Sequence, residues 1–272
     1  MSIEPVEFDY LRRLVKDFSA IDIDADKEYL ADLRLSPLLP DQGCRSVQEL
    51  LRQLRGTTFS GLHRKVVDAM TNNETWFFRD CHPFTALGDE IIPELMKKRA
   101  TERRLSIWSA ACSSGQEPYS IAMLLRDKFM VPNWSFSIKA TDISTPILER
   151  AKSGVYTQME VNRGLPAPLL AKHFRKIGTQ WELNYAVREM VSFEPINLSQ
   201  PWPNVSPVDI VFLRNVLIYF ELDVRKRILE QVRKVLRRDG YLFLGGAETT
   251  LNLDSKFERI QFGKYACYRL KG

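Results

Sequence analysis

Trp108-Ser-Ala-Ala-Cys-Ser-Ser-Gly-Gln-Glu-Pro-Tyr-Ser120 is the stretch on which the reading of this chain turns. It continues the apolar run Leu105-Ser-Ile-Trp-Ser-Ala110, which reads as a buried strand, and it leads into a helix from Glu117 to about Phe129. The residues between are small, so a ligand can approach the backbone closely. Gly115 permits a tight turn, and the helix N-terminus that follows favours anionic groups. A nucleotide site fits this pattern; so does a small-residue turn needed only for helix–strand packing. The spacing is not G-x-G-x-x-G, so the dinucleotide fingerprint is absent.

The same alternation continues outward. Ser135-Phe-Ser-Ile-Lys-Ala-Thr141 reads as a second strand ending in Asp142, with a helix over about Thr145 to Lys152. Val208 to Leu213 is a third strand, residues 222–238 an amphipathic helix stopped at Gly240, and Tyr241 to Gly245 the next strand. Phe257 to Leu270 reads as two more strands around Gly263. Strands alternating with helices imply a mostly parallel sheet, whose ligands bind beyond the carboxyl ends of the strands. The strand-exit residues are Ala110 to Glu117, Asp142, Asn197, and Arg214 to Tyr219. Asp142 suits a pair of ribose hydroxyls, because a carboxylate accepts both; capping the next helix suits it equally.

Residues 155–195 break this rhythm and read as an inserted β element, with Leu183–Val187 and Met190–Phe193 paired as an antiparallel hairpin. Upstream of residue 75 only helices are expected. Phe8, Leu11, Val15 and Phe18 form one stripe. Ser46-Val-Gln-Glu49 spells a capping box ahead of Leu50, Leu51 and Leu54, with Gly56 as the stop. His63 to Met70 continues as another helix.

Composition narrows the class. The 272 residues are 44% hydrophobic and 27% charged, a globular profile with length for one large domain or two modest ones. No apolar run suits a transmembrane helix, and the N-terminus lacks the pattern of a signal peptide, so a cytoplasmic protein is expected. Cys44, Cys81, Cys112 and Cys267 are far apart and only three His are present, so reduced thiols and no metal site are expected. Net charge is +5, divided as −3 over residues 1–75 and +8 over the rest. That leaves nucleic acid, acidic membrane and acidic protein as partners.

Four stretches together resemble the CheR-type chemotaxis receptor methyltransferases. They are Thr71-Asn-Asn-Glu-Thr-Trp-Phe-Phe-Arg79, Trp108 to Ser120, Ala140-Thr-Asp-Ile-Ser144, and Phe212-Leu-Arg-Asn-Val-Leu-Ile-Tyr-Phe220. Their order and spacing match nearly end to end. The resemblance implies a Rossmann-like α/β sheet of the S-adenosylmethionine-dependent methyltransferases over 101–272, with a small antiparallel β insertion at about 155–195. It implies an all-α domain over 1–75 and a linker over 76–100 that starts the catalytic domain. The implied activity is methyl transfer to glutamate side chains on chemoreceptor cytoplasmic helices, leaving S-adenosylhomocysteine. The implied cofactor contacts are Asn73, Thr75, Arg79, Ala110, Glu117, Asp142, Asn197, Leu198, Arg214 and Asn215. Arg79 and Tyr219 are the implied catalytic residues, with Tyr219 beside the transferred methyl.

Physical chemistry agrees with such a site. A substrate glutamate, with an ordinary pKa of about 4.3, is already a nucleophile at neutral pH. No general base is needed, and no Ser/His/Asp or Cys/His pattern is visible. Arg79 can orient that carboxylate or hold the carboxylate of the cofactor. Without the resemblance, Arg79 reads as a structural ion pair and Tyr219 as a core aromatic. Trp76, Phe77 and Phe78 suit sealing a pocket and pinning the linker to the core together.

Partner recognition departs from the family pattern. The family often carries a basic N-terminal helix for acidic receptor helices. Here Arg34 remains, but Ser36 and Pro37 stand where basic or helix-forming residues are expected, and Pro37 disturbs a helix. Arg52 and Arg55, one turn apart, either meet a partner or form a solvated face. Some family members also dock a receptor's C-terminal peptide through the β insertion. Neither nucleic-acid binding nor direct membrane insertion is expected; the implied place is the cytoplasm, at membrane receptor arrays. The alternatives are a methyltransferase for another substrate and a non-catalytic cofactor-binding module.

Overall fold

The computed structural model describes residues 3–203 and 205–272. Its contacts divide the chain into two units, Met1–Asn72 with Tyr219–Val224, and Asn73–Ile218 with Arg225–Gly272.

The first unit is helical. Its longer helices are Pro5–Ser19, Glu28–Leu35, Val47–Arg55 and Gly61–Met70. Leu11, Val15, Leu35, Leu50, Leu51, Leu54, Val66 and Val67 form its core. Phe18 stays at the edge of the stripe and stacks on Phe59 at 5.5 Å. The Ser46 hydroxyl accepts the Glu49 N–H at 3.2 Å. The Glu49 carboxylate reaches back one residue past the cap, to the Arg45 N–H at 2.7 Å. Pro37 has the expected effect: the helix ends at Leu35 and a single 3₁₀ turn, Ser36–Leu38, follows.

Arg34, Arg52 and Arg55 have partners within this unit. Arg34 donates to the carbonyls of Met70 at 2.6 Å and Thr71 at 3.3 Å, satisfying the end of the helix Gly61–Met70. Arg52 and Arg55, each about half exposed, also have partners inside the unit. Both approach the buried Glu7 carboxylate, at 3.4 and 3.7 Å, and Arg52 also pairs with Glu4 at 2.8 Å. A buried carboxylate without counter-charge is costly, so these cations answer Glu7.

Residues Tyr219–Val224 join this unit through Ile21, which bridges Phe220, through the Asp22 N–H, which donates to the Tyr219 carbonyl at 3.2 Å, and through Lys16, which pairs with Glu221 at 2.5 Å.

The second unit is built on a seven-stranded sheet. Its strands are β1 (Arg104–Ala110), β2 (Ser135–Asp142), β6 (Val191–Pro195), β7 (Val208–Leu213), β8 (Leu236–Leu244), β9 (Phe257–Phe262) and β10 (Tyr265–Leu270). The order is β6-β2-β1-β7-β8-β10-β9. Pairing is parallel from β6 to β8 and antiparallel around β10. Strands run outward from β1 in one direction and from β7 in the other, so the switch point lies between them. Ile107, Ile138, Ile210, Phe212 and Phe243 carry the core, with Ile121 and Leu125 from the helix Gln116–Lys128. The all-buried β7 includes Asp209, made tolerable by Arg99 Nε at 2.9 Å and the Ser106 N–H at 2.8 Å.

Two expectations are corrected here. The helix from Leu222 ends at Val235, and Gly240 lies inside β8, at its irregular pairing with β7. A Cβ at Gly240 would stand 2.6 Å from the Asp209 carbonyl oxygen, so this glycine serves close strand approach and not a helix stop. The hairpin expected over Leu183–Phe193 does not form either. Leu183 ends the short strand Gln180–Leu183, Tyr185–Arg188 is a helical turn, and β6 pairs parallel with β2 in the main sheet. Alternation at Val191 and Phe193 marks a strand but carries no information about its partner.

The insertion is instead a three-stranded antiparallel sheet, β3 (Val155–Thr157), β4 (Phe174–Ile177) and β5 (Gln180–Leu183), in the order β3-β5-β4. Phe77 pins it, edge-on to Tyr156 at 5.0 Å and Phe174 at 5.6 Å. Gly164 seals the contact: its φ is +81°, and a Cβ there would lie 2.1 Å from the Phe77 carbonyl oxygen. Gly164→Ala is therefore expected to cost about 2–4 kcal/mol, read as a lower urea midpoint. Gly178→Ala, at φ +56° with open space around it, should cost only about 1 kcal/mol.

Candidate active site at the sheet switch point

The loop after β1 is held in an unusual backbone path. Ala111 and Ser113 have φ of 55° and 51°, and Gly115 has 91°. A side chain at Gly115 would press on Ala151, Tyr119 and the Tyr156 hydroxyl at 3.1–3.2 Å. Cys112 N–H donates to the Thr141 carbonyl at 2.9 Å, and the Tyr156 hydroxyl donates to the Ser114 carbonyl at 2.8 Å. Ser113 Oγ donates to the Asn73 carbonyl at 2.8 Å, which brings the first and second motifs together.

Asp142, at the end of β2, is buried beside this loop. Its two oxygens accept the N–H groups of Ser113 at 2.9 Å and Ser144 at 3.1 Å. Burial pushes its carboxyl up from 3.8, against the pull of those N–H donors. Asp142 thus caps the following turn and keeps further acceptor capacity.

Glu117 and Arg214 form a bridge across the switch point. Glu117 accepts from the Ser109 hydroxyl at 2.8 Å and from Arg214 Nη1 at 2.9 Å. Arg214, whose side chain is 1% exposed, also donates to Asp80 at 2.7 Å and to the Arg79 carbonyl at 2.9 Å. It ties down a strained turn in which Phe78, Asp80 and Cys81 all have positive φ. Arg79 is half-buried, donates Nη1 to the Glu74 carbonyl at 3.1 Å, and stacks on Trp76 with its guanidinium carbon 4.3 Å from the ring. Phe78 packs on Phe84 at 5.1 Å, so of the three aromatics Phe77 and Phe78 pin the segment while Trp76 carries Arg79.

Asn215 follows directly, in the left-handed region at φ 58°. Its side-chain carbonyl oxygen is buried and has no hydrogen-bond partner. Ala110 is buried at the end of β1, and Thr75 lies half-buried between Glu74 and Trp76. Asn197 spends its side-chain oxygen within its own turn, on the Ser199 N–H at 3.0 Å and hydroxyl at 2.7 Å. Leu198 is buried, and its carbonyl accepts from Trp202 Nε1 at 3.2 Å. Tyr219 falls in the helical unit, where its hydroxyl accepts from Asn72 Nδ2 at 2.6 Å.

Sequence reasoning missed Glu248. Its buried carboxylate accepts four backbone N–H groups: Gly245 at 2.6 Å, Asn215 at 2.7 Å, Val216 at 2.9 Å and Leu217 at 2.7 Å. It fixes the turn that presents Asn215. The only available signal was an acid after two glycines at the exit of β8.

Residues 73–266 match the model of the CheR methyltransferase SAM-binding domain, and residues 6–71 match that of the CheR methyltransferase all-alpha domain. The chain belongs to the CheR methyltransferase family. Among its relatives, chemotaxis protein methyltransferase 1 of Pseudomonas aeruginosa is 39% identical over 277 residues, covering 100% of both chains. The chemotaxis protein methyltransferase Cher2 of Pseudomonas putida is 38% identical with the same coverage. The Vibrio parahaemolyticus chemotaxis protein methyltransferase is also 38% identical, over 100% of this chain and 99% of its own.

This CheR protein is a methyltransferase of chemotaxis with S-adenosylmethionine as its cofactor. The residues present suit that group. The unpartnered Asn215 oxygen and the Asp142 carboxylate are buried acceptors of the kind that its hydroxyl and amino hydrogens require. Gly245 lets its backbone lie close against Asn215, where a Cβ would meet Asn215 Nδ2 at 2.6 Å. Among the described residues no helix is long and apolar enough to cross a membrane, and no group of His, Cys, Asp or Glu is placed to hold a metal ion.

Proposed function

We propose that this CheR protein esterifies glutamate side chains on the cytoplasmic helices of chemoreceptors, leaving glutamate methyl esters. The observation that carries this reading is the buried Asn215 oxygen left without a partner after β7, with Asp142 buried at the end of β2 and no nucleophile–base pair formed by either. When bound, S-adenosylmethionine supplies a methyl group on a cationic sulfur.

The chain's own residues have three tasks. Asp142 accepts the ribose hydroxyls, and Asn215, Ala110 and the 111–115 backbone border the cofactor. Asn73, Thr75, Asn197 and Leu198 complete the wall, while Glu117 and Arg214 hold its two sides at the switch point. Arg79 orients a carboxylate without surrounding it; a tighter grip would stabilise the ground state and slow transfer. Tyr219 stands beside the transferred methyl. No residue must remove a proton, because the substrate carboxylate is already ionised near neutral pH. Exclusion of water and in-line placement supply the rate.

Each transfer removes one negative charge from a receptor helix, which changes helix repulsion and packing. The enzyme works in the cytoplasm, recruited to membrane receptor arrays. The open edges of the β3-β5-β4 sheet suit addition of an extended receptor C-terminal peptide. The decisive experiment supplies cofactor with a labelled methyl group and a panel of chemoreceptor cytoplasmic fragments. Base-labile label, released as methanol and lost when candidate glutamates become alanine, is the expected result. Tight cofactor binding with no label on any fragment overturns the proposal and leaves a binding module.

A further inference from the structure

Trp76 carries two guanidiniums. Arg79 lies 4.3 Å from its ring centroid and Arg163, from the β insertion, lies 4.0 Å from it. Arg163 also pairs with Glu74 at 2.7 Å, and that partnership, with the nearby Arg79 charge, holds the Glu74 carboxyl below its ordinary range. The next residue is Gly164, packed against the Phe77 backbone. Two like charges on one indole would repel each other; Glu74 answers Arg163, and the Glu74 carbonyl takes Arg79 Nη1 at 3.1 Å. Arg79 Nε is buried with no hydrogen-bond partner, so the ring face, not a hydrogen bond, restrains that end of the guanidinium.

We infer that Trp76 and Arg163 are positioning residues for Arg79. A flexible arginine that must present its donors to a carboxylate loses rotamer freedom on binding. Stacking on a flat, fixed ring removes that freedom beforehand. Arg163 ties the same ring to the insertion, so the packing of the insertion bears on the angle of Arg79. The target group is a carboxylate, from the amino-acid part of the cofactor or from the substrate glutamate. This inference rests on the proposed role of Arg79.

The test measures binding of S-adenosylhomocysteine and of 5′-methylthioadenosine, which lacks the carboxylate, by calorimetry, together with methylation kinetics on a receptor fragment. The variants are Trp76→Ala, Trp76→Phe, Arg163→Met and Arg79→Ala. Arg163 is half-exposed, so Arg163→Met reads the stack without depending on the core. Trp76→Ala and Arg163→Met should move the same parameter as Arg79→Ala, by about three- to tenfold, as loss of a cation–π contact would. Trp76→Phe should restore most of it. Weaker S-adenosylhomocysteine binding with unchanged methylthioadenosine binding assigns the cofactor carboxylate. Unchanged binding with raised KM or lowered kcat assigns the substrate carboxylate.

Equal weakening of both ligands, or an effect of Arg79→Ala that neither neighbour reproduces, overturns the inference and leaves the role of Arg79 standing. An Arg79→Ala protein that matches the wild type in every readout overturns both. The binding arm needs no receptor, so a wrong substrate assignment leaves it readable.

Discussion

Glu248→Ala is expected to destabilise the protein by about 3–5 kcal/mol and to weaken S-adenosylhomocysteine binding about tenfold or more. Four backbone N–H groups converge on this one carboxylate, three of them from consecutive residues of the turn at Asn215. Alanine leaves those donors without an acceptor, and water entering the gap recovers only part of the loss. Glu248→Gln should be milder, about 1–3 kcal/mol, because one acceptor oxygen remains while the new NH₂ faces N–H donors. Urea midpoints and calorimetry on both variants separate the effects. If Glu248→Ala binds as tightly as the wild type, the turn holds itself and the clamp is dispensable for the cofactor.

Asp142→Ala should weaken binding of S-adenosylhomocysteine by about 2–4 kcal/mol, or roughly 30- to 1,000-fold, the size expected of lost charge-assisted hydrogen bonds to two hydroxyls. The pH dependence carries its own signature. Burial lifts the Asp142 carboxyl above 3.8. Since the folded pKa exceeds the unfolded one, the contribution of Asp142 to stability is full below 3.8 and is lost as pH rises through the folded pKa. Ligand binding runs the other way, because the ionised carboxylate is the better acceptor. Affinity should therefore fall on acidification at a pH above that of an ordinary aspartate, while this residue's share of apo-protein stability rises. Asp142→Asn should flatten both trends. An affinity that is independent of pH over that range in the wild type would exclude a carboxylate–ribose contact.

Much of the site was legible because its signals are local. An apolar run, small residues, one glycine and a helix start announce a strand–turn–helix, and β1 with the helix Gln116–Lys128 follows that reading. Asp142 sits at the strand end that its position suggested. The errors arose where a local signal has two structural causes. Gly240 looked like a helix stop because glycine serves there as often as in close strand approach, and the carbonyl of Asp209 that requires it is invisible from the local sequence. Val191–Pro195 was recognisable as a strand, yet joined a different sheet than its neighbours suggested, because alternation sets the face of a strand and not its partner.

Hydrophobic periodicity, caps and turn residues determine, from the amino acids alone, that helices precede an alternating α/β region, and they point to its strand exits as the candidate site. Each of those signals spans a turn or two of chain, over which backbone preference and side-chain burial act directly. Partners were settled by folding. Arg34 meets the end of a helix 36 positions on, and Arg52 meets the buried Glu7 carboxylate. Arg214 meets Asp80 across 134 positions, and Glu248 meets Asn215 across 33. A buried charge takes whichever donors or acceptors the packed chain brings within about 3 Å, and no residue's immediate neighbours encode which those are.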